Sequence, residues 1–384
     1  MSFRGALRVV GRAVIALLLA AMVAALVFHG WVEAQGRTLI VLTRTSNTPL
    51  LGWMVGVFTD EPRAEDTMIG GLPTLLVRPG EGRSWPAIVF LNGVTRRGRF
   101  HPQVQRLAHA LARAGYLVAV PDPPGLRDGV LSLRTLAGTE AAVRAVLARR
   151  DVRGPIALFG VSAGGSLAVL AAEDVAIVPH VRVVGGLAPY TNLADVVRIV
   201  TTGTYVEGGR VHRYHSKPFA GLVAARSLAA ALPSAHDRAL ILARLAPITV
   251  PENASNLLSP LRELDAARLR PSTRAFVRLL LNRDPHRFDA LYRALPASTR
   301  ATVERLSPLS GAMRLRAPVL IVSAPHDKYF PPEQTRVLAR RASGKVQLTV
   351  TPALAHAVPH FSLRDARGVV EFDLFVVRTL HAAG

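Results

Sequence analysis

Residues Gly160-Val161-Ser162-Ala163-Gly164 hold a serine between two glycines, just after the apolar run 156–159 and just before the alanine-rich segment 163–173. The run reads as a strand and the segment as a helix, so Ser162 stands on a strand-to-helix turn. Such a turn strains the serine backbone and exposes the hydroxyl above the sheet. Side chains two residues to either side would collide, which calls for Gly160 and Gly164. Gly165 should let the new helix pack close to its neighbours. A serine hydroxyl is a poor nucleophile alone, so chemistry here requires a base and an orienting acid. Asp327 lies in the loop after the apolar run 317–323, and His356 in the loop after 346–350. His360 competes with His356 in the stretch AHAVPH; His356 lies nearer the strand end, and Pro359 stiffens the chain before His360. His326 reads as a loop residue, because no HExxH or carboxylate cluster at ligand spacing accompanies it. No glycine-rich phosphate loop follows a strand, and no cofactor is expected.

The elements that must position these residues alternate. Strands are predicted at 74–77, 86–91, 116–120, 156–159, 181–187, 317–323 and 346–350, and helices at 102–114, 132–149, 163–173, 332–342 and 362–381. Strands separated by helices of this length imply crossover connections and a mostly parallel, doubly wound α/β sheet covered on both faces. Ligands of such sheets bind at the C-terminal strand edge, where all three candidate residues fall. The rhythm breaks near Thr191. Residues 193–310 carry helical patterns only, for instance 219–232, 272–281 and 287–295. Apolar stripes such as Leu222, Ala225, Leu228 and Ala229, or Phe276, Leu279 and Leu280, suit a helical cap over the strand edge. The expected organisation is an N-terminal segment 1–34, a linker 35–65, a core in two parts at 66–192 and 311–384, and the cap 193–310.

With serine, aspartate and histidine in this chain order, the sequence resembles the α/β-hydrolase superfamily over roughly 66–192 and 311–384. The resemblance implies Ser162 as nucleophile, His356 as general base and then acid, and Asp327 as the carboxylate that orients the imidazole. It also implies an oxyanion hole of two backbone N–H groups. Ala163 would supply one. The loop Asn92-Gly93-Val94-Thr95, standing where many relatives have His-Gly, would supply the other through Val94. The implied activity is hydrolysis of a small-molecule or lipid-like carboxylic ester through an acyl-enzyme. An acyltransferase or peptidase could use the same residues, and a non-catalytic, membrane-anchored binding protein could keep the fold.

Composition narrows the rest. The chain has no cysteine, which excludes disulfides, thiolate catalysis and zinc–thiolate sites. The net charge of +21 is carried almost wholly by scattered arginines, since only Lys217, Lys328 and Lys345 are lysine. A nucleic-acid partner needs basic residues clustered on one face and is not expected. At the N-terminus Arg4, Arg8 and Arg12 precede an apolar stretch, 13–32, in which only His29 is appreciably polar. Twenty residues at helical rise span about 30 Å, the hydrocarbon thickness of a bilayer. Arginines before the stretch orient the remainder away from the cytoplasm, and Trp31 suits the far interface. A single-pass anchor is expected, with the domain outside the cytoplasm. Val32-Glu33-Ala34 offers the alternative of a cleaved signal segment and a secreted protein.

Overall fold

A computed structural model describes residues 29–45, 56–57, 59–249, 254–255, 257–265, 267–360 and 365–384. The described residues open with helix α1 (His29–Thr45), followed by the antiparallel pair β1 (Arg63–Ile69) and β2 (Leu72–Arg78). The alternating part runs β3 (Ala87–Leu91), α2 (Pro102–Arg113), β4 (Leu117–Pro121), α3 (Leu133–Leu147), β5 (Ile156–Val161), α4 (Ala163–Ala171) and β6 (Val181–Leu187). These eight strands include two that follow an insert, β9 (Val319–Ser323) and β10 (Val346–Val350), and they form one sheet in the order β1-β2-β4-β3-β5-β6-β9-β10. The pairs from β4 to β10 are parallel, and only β1–β2 and β2–β4 are antiparallel.

Alternation along each strand sends side chains to two cores. Val89, Leu91, Leu158 and Ile321 face one core with α3 and α4, while Ile88, Phe90, Ala157 and Val322 face the other with α2 and the last helix. The strand order reverses on either side of β3. The loops after β3 and β5 therefore leave in opposite directions and open a crevice between them at the C-terminal edge. Ser162 and the Asn92–Val94 loop flank that crevice.

The insert enters after β6 and returns to β9, the next strand in the sheet. It comprises α5 (Leu193–Thr202), the hairpin β7 (Thr204–Glu207) and β8 (Arg210–Arg213), α6 (Pro218–Ala230), α7 (Ala235–Arg244), α8 (Pro271–Leu280), α9 (Phe288–Arg293), α10 (Ala297–Arg305) and α11 (Pro308–Gly311). The hairpin corrects the all-helical expectation for 193–310. Gly208 and Gly209 both have positive φ, 56° and 78°, as a two-residue turn matched to strand twist requires. Its two stems are bolted together. Tyr190 donates to the Leu306 carbonyl at 3.0 Å, and the Leu193 N–H donates to Ser307 Oγ at 2.9 Å. After β9 come α12 (Glu333–Arg341), β10, the short hairpin β11 (Leu354–Ala355) and β12 (Val358–Pro359), and α13 (Ala366–Ala383). The predicted final helix at 362–381 starts within residues outside the described set.

The expected linker 35–65 is corrected at its start. Helix α1 buries Ala34, Thr38 and Val41 at helical spacing and packs on α2 and α13. Polar contacts fix its rotation: Arg37 donates to the Tyr116 hydroxyl at 2.8 Å, which in turn donates to the Leu380 carbonyl at 2.8 Å. The apolar stretch 13–32 is affected as well. Its last residues, 29–32, belong to α1, and Trp31 stacks on His381 of α13 at 4.8 Å rather than standing free for a membrane interface. Residues 13–28 lie outside the described set. Among the described residues no helix is long and apolar enough to cross a membrane.

One buried carboxyl ties α4 to the returning stem of the insert. Glu173, just past α4, is 2% exposed, and its Oε1 has no hydrogen-bond partner. Burial pushes its carboxyl pKa up to about 9, against a smaller opposing pull from Arg314. Arg314 also donates to the Glu173 carbonyl at 2.9 Å, and Gly311 leaves the room that the carboxyl occupies. Between the ordinary value of 4.5 and about 9 the unfolded chain releases this proton while the folded chain keeps it, so stability falls as pH rises through that window. Glu173→Gln should accordingly stabilise the fold by about 1–3 kcal/mol at pH 8 and by little at pH 4. Thermal melts at the two pH values check this, and a variant less stable than the parent at pH 8 would contradict it.

Candidate active site

Ser162 occupies the turn between β5 and α4 with φ 53° and ψ −125°, a conformation that few L-residues adopt. Its N–H donates to the Leu187 carbonyl at 2.7 Å, which pins the turn to β6. The two flanking glycines are required by contact. A Cβ on Gly160 would overlap the Gly164 carbonyl, and one on Gly164 would overlap the carbonyls of Leu91 and Asn92 at the end of β3. Gly165 faces the Pro189 side chain, where a Cβ would come within 3.1 Å. The strain at Ser162 thus persists because strand, helix and neighbouring loop all close on it.

Asp327 and His356 meet across two loops. His356 Nδ1 is 2.8 Å from Asp327 Oδ2 and 3.0 Å from Oδ1, with the Asp327 side chain fully buried and His356 6% exposed. The same carboxylate accepts the N–H groups of Tyr329 at 2.8 Å and Phe330 at 3.0 Å. An ionised carboxylate only accepts, so Nδ1 carries the hydrogen, and the neutral ring keeps its lone pair on Nε2. Tyr329 and Phe330 both stand edge-on to the imidazole, at ring separations of 4.6 and 6.1 Å. His356 itself has φ 55°, at the tip of the β11–β12 hairpin. His360 is exposed and its N–H closes on the Ala353 carbonyl at 2.7 Å. His326 is likewise exposed, and among the described residues no three His, Asp or Glu side chains gather at ligand spacing.

Ser162, Ala163, Val94 and His356 all line one cavity of about 700 Å³. Beside them, the Gly93 N–H is occupied by Asn92 Oδ1 at 2.9 Å, and Asn92 Nδ2 reaches the Gly98 carbonyl at 3.2 Å. His101, at the start of α2, also lines the cavity. Burial, and then the cations Arg97 and Arg106, hold its pKa below the ordinary histidine range.

The insert reaches the cavity through residues other than the stripes singled out from the sequence. Leu222, Ala225, Leu228 and Ala229 pack into the core, as do Phe276, Leu279 and Leu280. The cavity wall is instead Leu193 and Val196 of α5 with Phe219 and Val223 of α6. Sequence reasoning also missed Tyr214, whose hydroxyl donates to the Asp327 carbonyl from just past the β7–β8 hairpin. Burial, and then the Asp327 charge, push the Tyr214 pKa up. Nothing in the local sequence distinguishes this tyrosine. The paired glycines of the hairpin before it were the available signal.

The contrast between two glycines tests the turn. Gly164→Ala should cost about 1–3 kcal/mol, because its Cβ meets backbone on two sides. Gly36→Ala, in exposed helix with nothing within 4 Å of the added methyl, should gain up to about 1 kcal/mol. Denaturant unfolding of both variants measures this, and equal effects would contradict the account.

A family model described as the alpha/beta hydrolase family matches residues 88–372. No curated protein matches the sequence. Among solved structures, the acylaminoacyl peptidase of Pyrococcus horikoshii is similar at TM-score 0.46 and 15% identity, over 85% of this chain and 43% of that one. The present chain therefore spans less than half of the peptidase. An esterase from the bacterial hormone-sensitive lipase family is similar at TM-score 0.42 and 17% identity, over 91% and 96% of the two chains. Dienelactone hydrolase from Anabaena variabilis is similar at TM-score 0.40 and 12% identity, over 83% and 97%. The family match takes in β3 through β10, the turn at Ser162 and both loops that carry Asp327 and His356, and the chain belongs to the alpha/beta hydrolase family.

Proposed function

We propose that this hydrolase is a serine esterase that cleaves carboxylic esters through an acyl-enzyme on Ser162. The observation that carries the reading is His356, paired with the buried Asp327 and lining the same apolar cavity as a serine held on a strained turn. His356 Nε2 takes the proton from Ser162 Oγ as the oxygen attacks the ester carbonyl carbon. The carbonyl oxygen becomes an oxyanion, received by the N–H groups of Ala163 and Val94. The Gly93 N–H is already engaged, which leaves Val94 as the better donor in that loop. Collapse of the tetrahedral intermediate breaks the bond to the alcohol oxygen, and His356 returns the proton to the leaving alcohol. Water then attacks the acyl-enzyme with His356 again as base, releasing the acid and restoring Ser162. An alcohol in place of that water would make the reaction an acyl transfer. A peptide bond as substrate is the other reading on the same residues. The apolar lining favours an ester, because an extended peptide needs partners for its backbone N–H and C=O groups.

The insert is assigned the role of a cap that walls the cavity with Leu193, Val196, Phe219 and Val223. The triad assignment predicts that Ser162→Ala and His356→Ala each lower kcat/KM for p-nitrophenyl esters by roughly 10⁴- to 10⁶-fold, and Asp327→Ala by about 10⁴-fold. His360→Ala should stay near the parent. Loss of activity in His360→Ala with retention in His356→Ala would overturn the base assignment, and an inert parent protein would favour the non-catalytic binding reading.

The N-terminal segment is assigned to membrane attachment, with the hydrolase domain outside the cytoplasm. Arg4, Arg8 and Arg12 ahead of the apolar residues support this orientation. Cleavage after Ala34 would remove the Trp31 ring stacked on His381 and the Glu33 carboxylate paired with Arg37, which favours retention of the segment. The protein should therefore stay with membranes through high-salt and carbonate washes, whereas charge adsorption is lost in salt. Soluble protein beginning at Gln35 would establish the secreted alternative.

A further inference from the structure

We propose that the ester processed at Ser162 bears a long alkyl chain, and that this chain lies in an arm of the cavity walled by helix α1. The proposal rests on the esterase reading and adds the substrate class. The cavity does not end beneath the insert. It passes Ser162 and His356 and descends on the opposite face of the sheet, between α2 and α13, to Val41, Leu42 and Thr45 of α1. Phe159 and Gly185 mark the descent. They are paired across β5 and β6, and Phe159 lies three residues before Ser162, about 10 Å down the strand. At that level β6 carries only Gly185, which lets Thr379 and the Phe159 ring close against the strand and line the cavity there. A Cβ on Gly185 would come within 2.9 Å of Thr379 Cγ2 and 3.0 Å of the Phe159 ring.

The chemistry of the arm selects its occupant. Its walls are Leu107 and Leu111 of α2, Phe372, Phe375 and Val376 of α13, and Val41 and Leu42 of α1. The two hydroxyls present are already used. Thr45 donates to the Val41 carbonyl at 2.7 Å and Thr379 donates to the Phe375 carbonyl at 2.6 Å, so each leaves its methyl to the cavity. Along these walls a sugar, a peptide or a charged group would lose its water and meet mainly carbon, since the polar Gln103 and Arg106 of α2 are exposed at the surface. An alkyl chain loses nothing and gains burial. Helix α1 is held by Arg37 to the buried Tyr116 and by Trp31 to His381, so it is a fixed wall of this arm. The arms on the two faces of the sheet diverge from Ser162, as the two halves of an ester diverge from its carbonyl carbon.

The chain could belong to the acid or to the alcohol, and two substrate series separate these sources. In one, p-nitrophenyl esters run from butyrate to dodecanoate; in the other, alkyl acetates run from butyl to dodecyl, with acetate release measured. The parent should gain about fourfold in kcat/KM per added methylene in one series until the arm is full. Leu42→Trp, which fills the arm from α1, should lower the dodecyl-to-butyl ratio in that series at least tenfold. Val376→Trp fills it from α13 and keeps the test available if the first variant does not fold. Stoichiometric labelling by a fluorophosphonate reports the fraction of folded sites in each. A parent that hydrolyses esters with no gain in either series overturns the proposal, as does an unchanged ratio in folded Leu42→Trp. A parent that hydrolyses no ester removes the esterase reading instead. The arm is then judged by a fluorescent fatty acid, which should bind the parent and bind Leu42→Trp at least tenfold more weakly, and failure to bind the parent overturns the proposal.

Discussion

The turn at Ser162 is the constraint on which the rest of the site depends. A residue with φ 53° between a strand and a helix is held there only if its surroundings leave no alternative. The surroundings are backbone: the Gly164 carbonyl against Gly160, the Leu91 and Asn92 carbonyls against Gly164, and the Leu187 carbonyl receiving the serine N–H. These contacts draw β3, β5 and β6 together at one edge. The same approach that forbids a Cβ at Gly164 brings the loop carrying Val94 beside the start of α4. Strand order then does the remaining work, since β9 and β10 follow β6 in the sheet and deliver Asp327 and His356 to the same edge.

The Asp327 side chain is held on more sides than that of His356. Asp327 is held by two backbone N–H groups from its own loop, and its carbonyl receives Tyr214 from the insert. The Lys217 N–H also donates to the Lys328 carbonyl at 2.8 Å. The insert therefore touches the site twice: it walls the cavity with apolar side chains, and it braces the loop that positions the histidine. A change in its packing would reach His356 through Asp327 as well as through the shape of the cavity.

Much of this site can be read from residue order alone, and what cannot has a physical cause. Gly160, Gly164 and the serine between them announce a backbone geometry that few residues tolerate, so local sequence suffices there. The parallel strands β3, β4 and β5 are largely continuous apolar runs, and β6 and β10, though they carry Arg182 or Gln347 and Thr349, have the predicted limits. His356 is preferred to His360 for its place nearer the strand end, but the hairpin at 354–359 that presents it is too short to carry a pattern. The hairpin at 204–213 was passed over although Gly208-Gly209 signals it, because the segment lies between helical stretches. The stripe Leu222, Ala225, Leu228 and Ala229, read as suiting a cap, packs into the core, and the side of α6 that meets the cavity is not marked locally. Apart from Arg226 and Ser227 that helix is apolar all round, and only tertiary packing decides that Phe219 and Val223 meet the cavity while Leu222 enters the core. Helix α1 was read as the end of an apolar segment followed by a linker. Its placement rests on contacts such as Arg37 with Tyr116 and Trp31 with His381, 79 and 350 positions apart, which no local pattern records.

The central claim is that Ser162 is a nucleophile activated by His356. The most direct test is to react the full-length protein with a fluorophosphonate and locate the adduct by peptide mass spectrometry. The account predicts one adduct per chain, on the peptide containing Ser162, formed slowly or not at all when His356 is replaced by alanine. Modification at another serine, or equal labelling with and without His356, would contradict it.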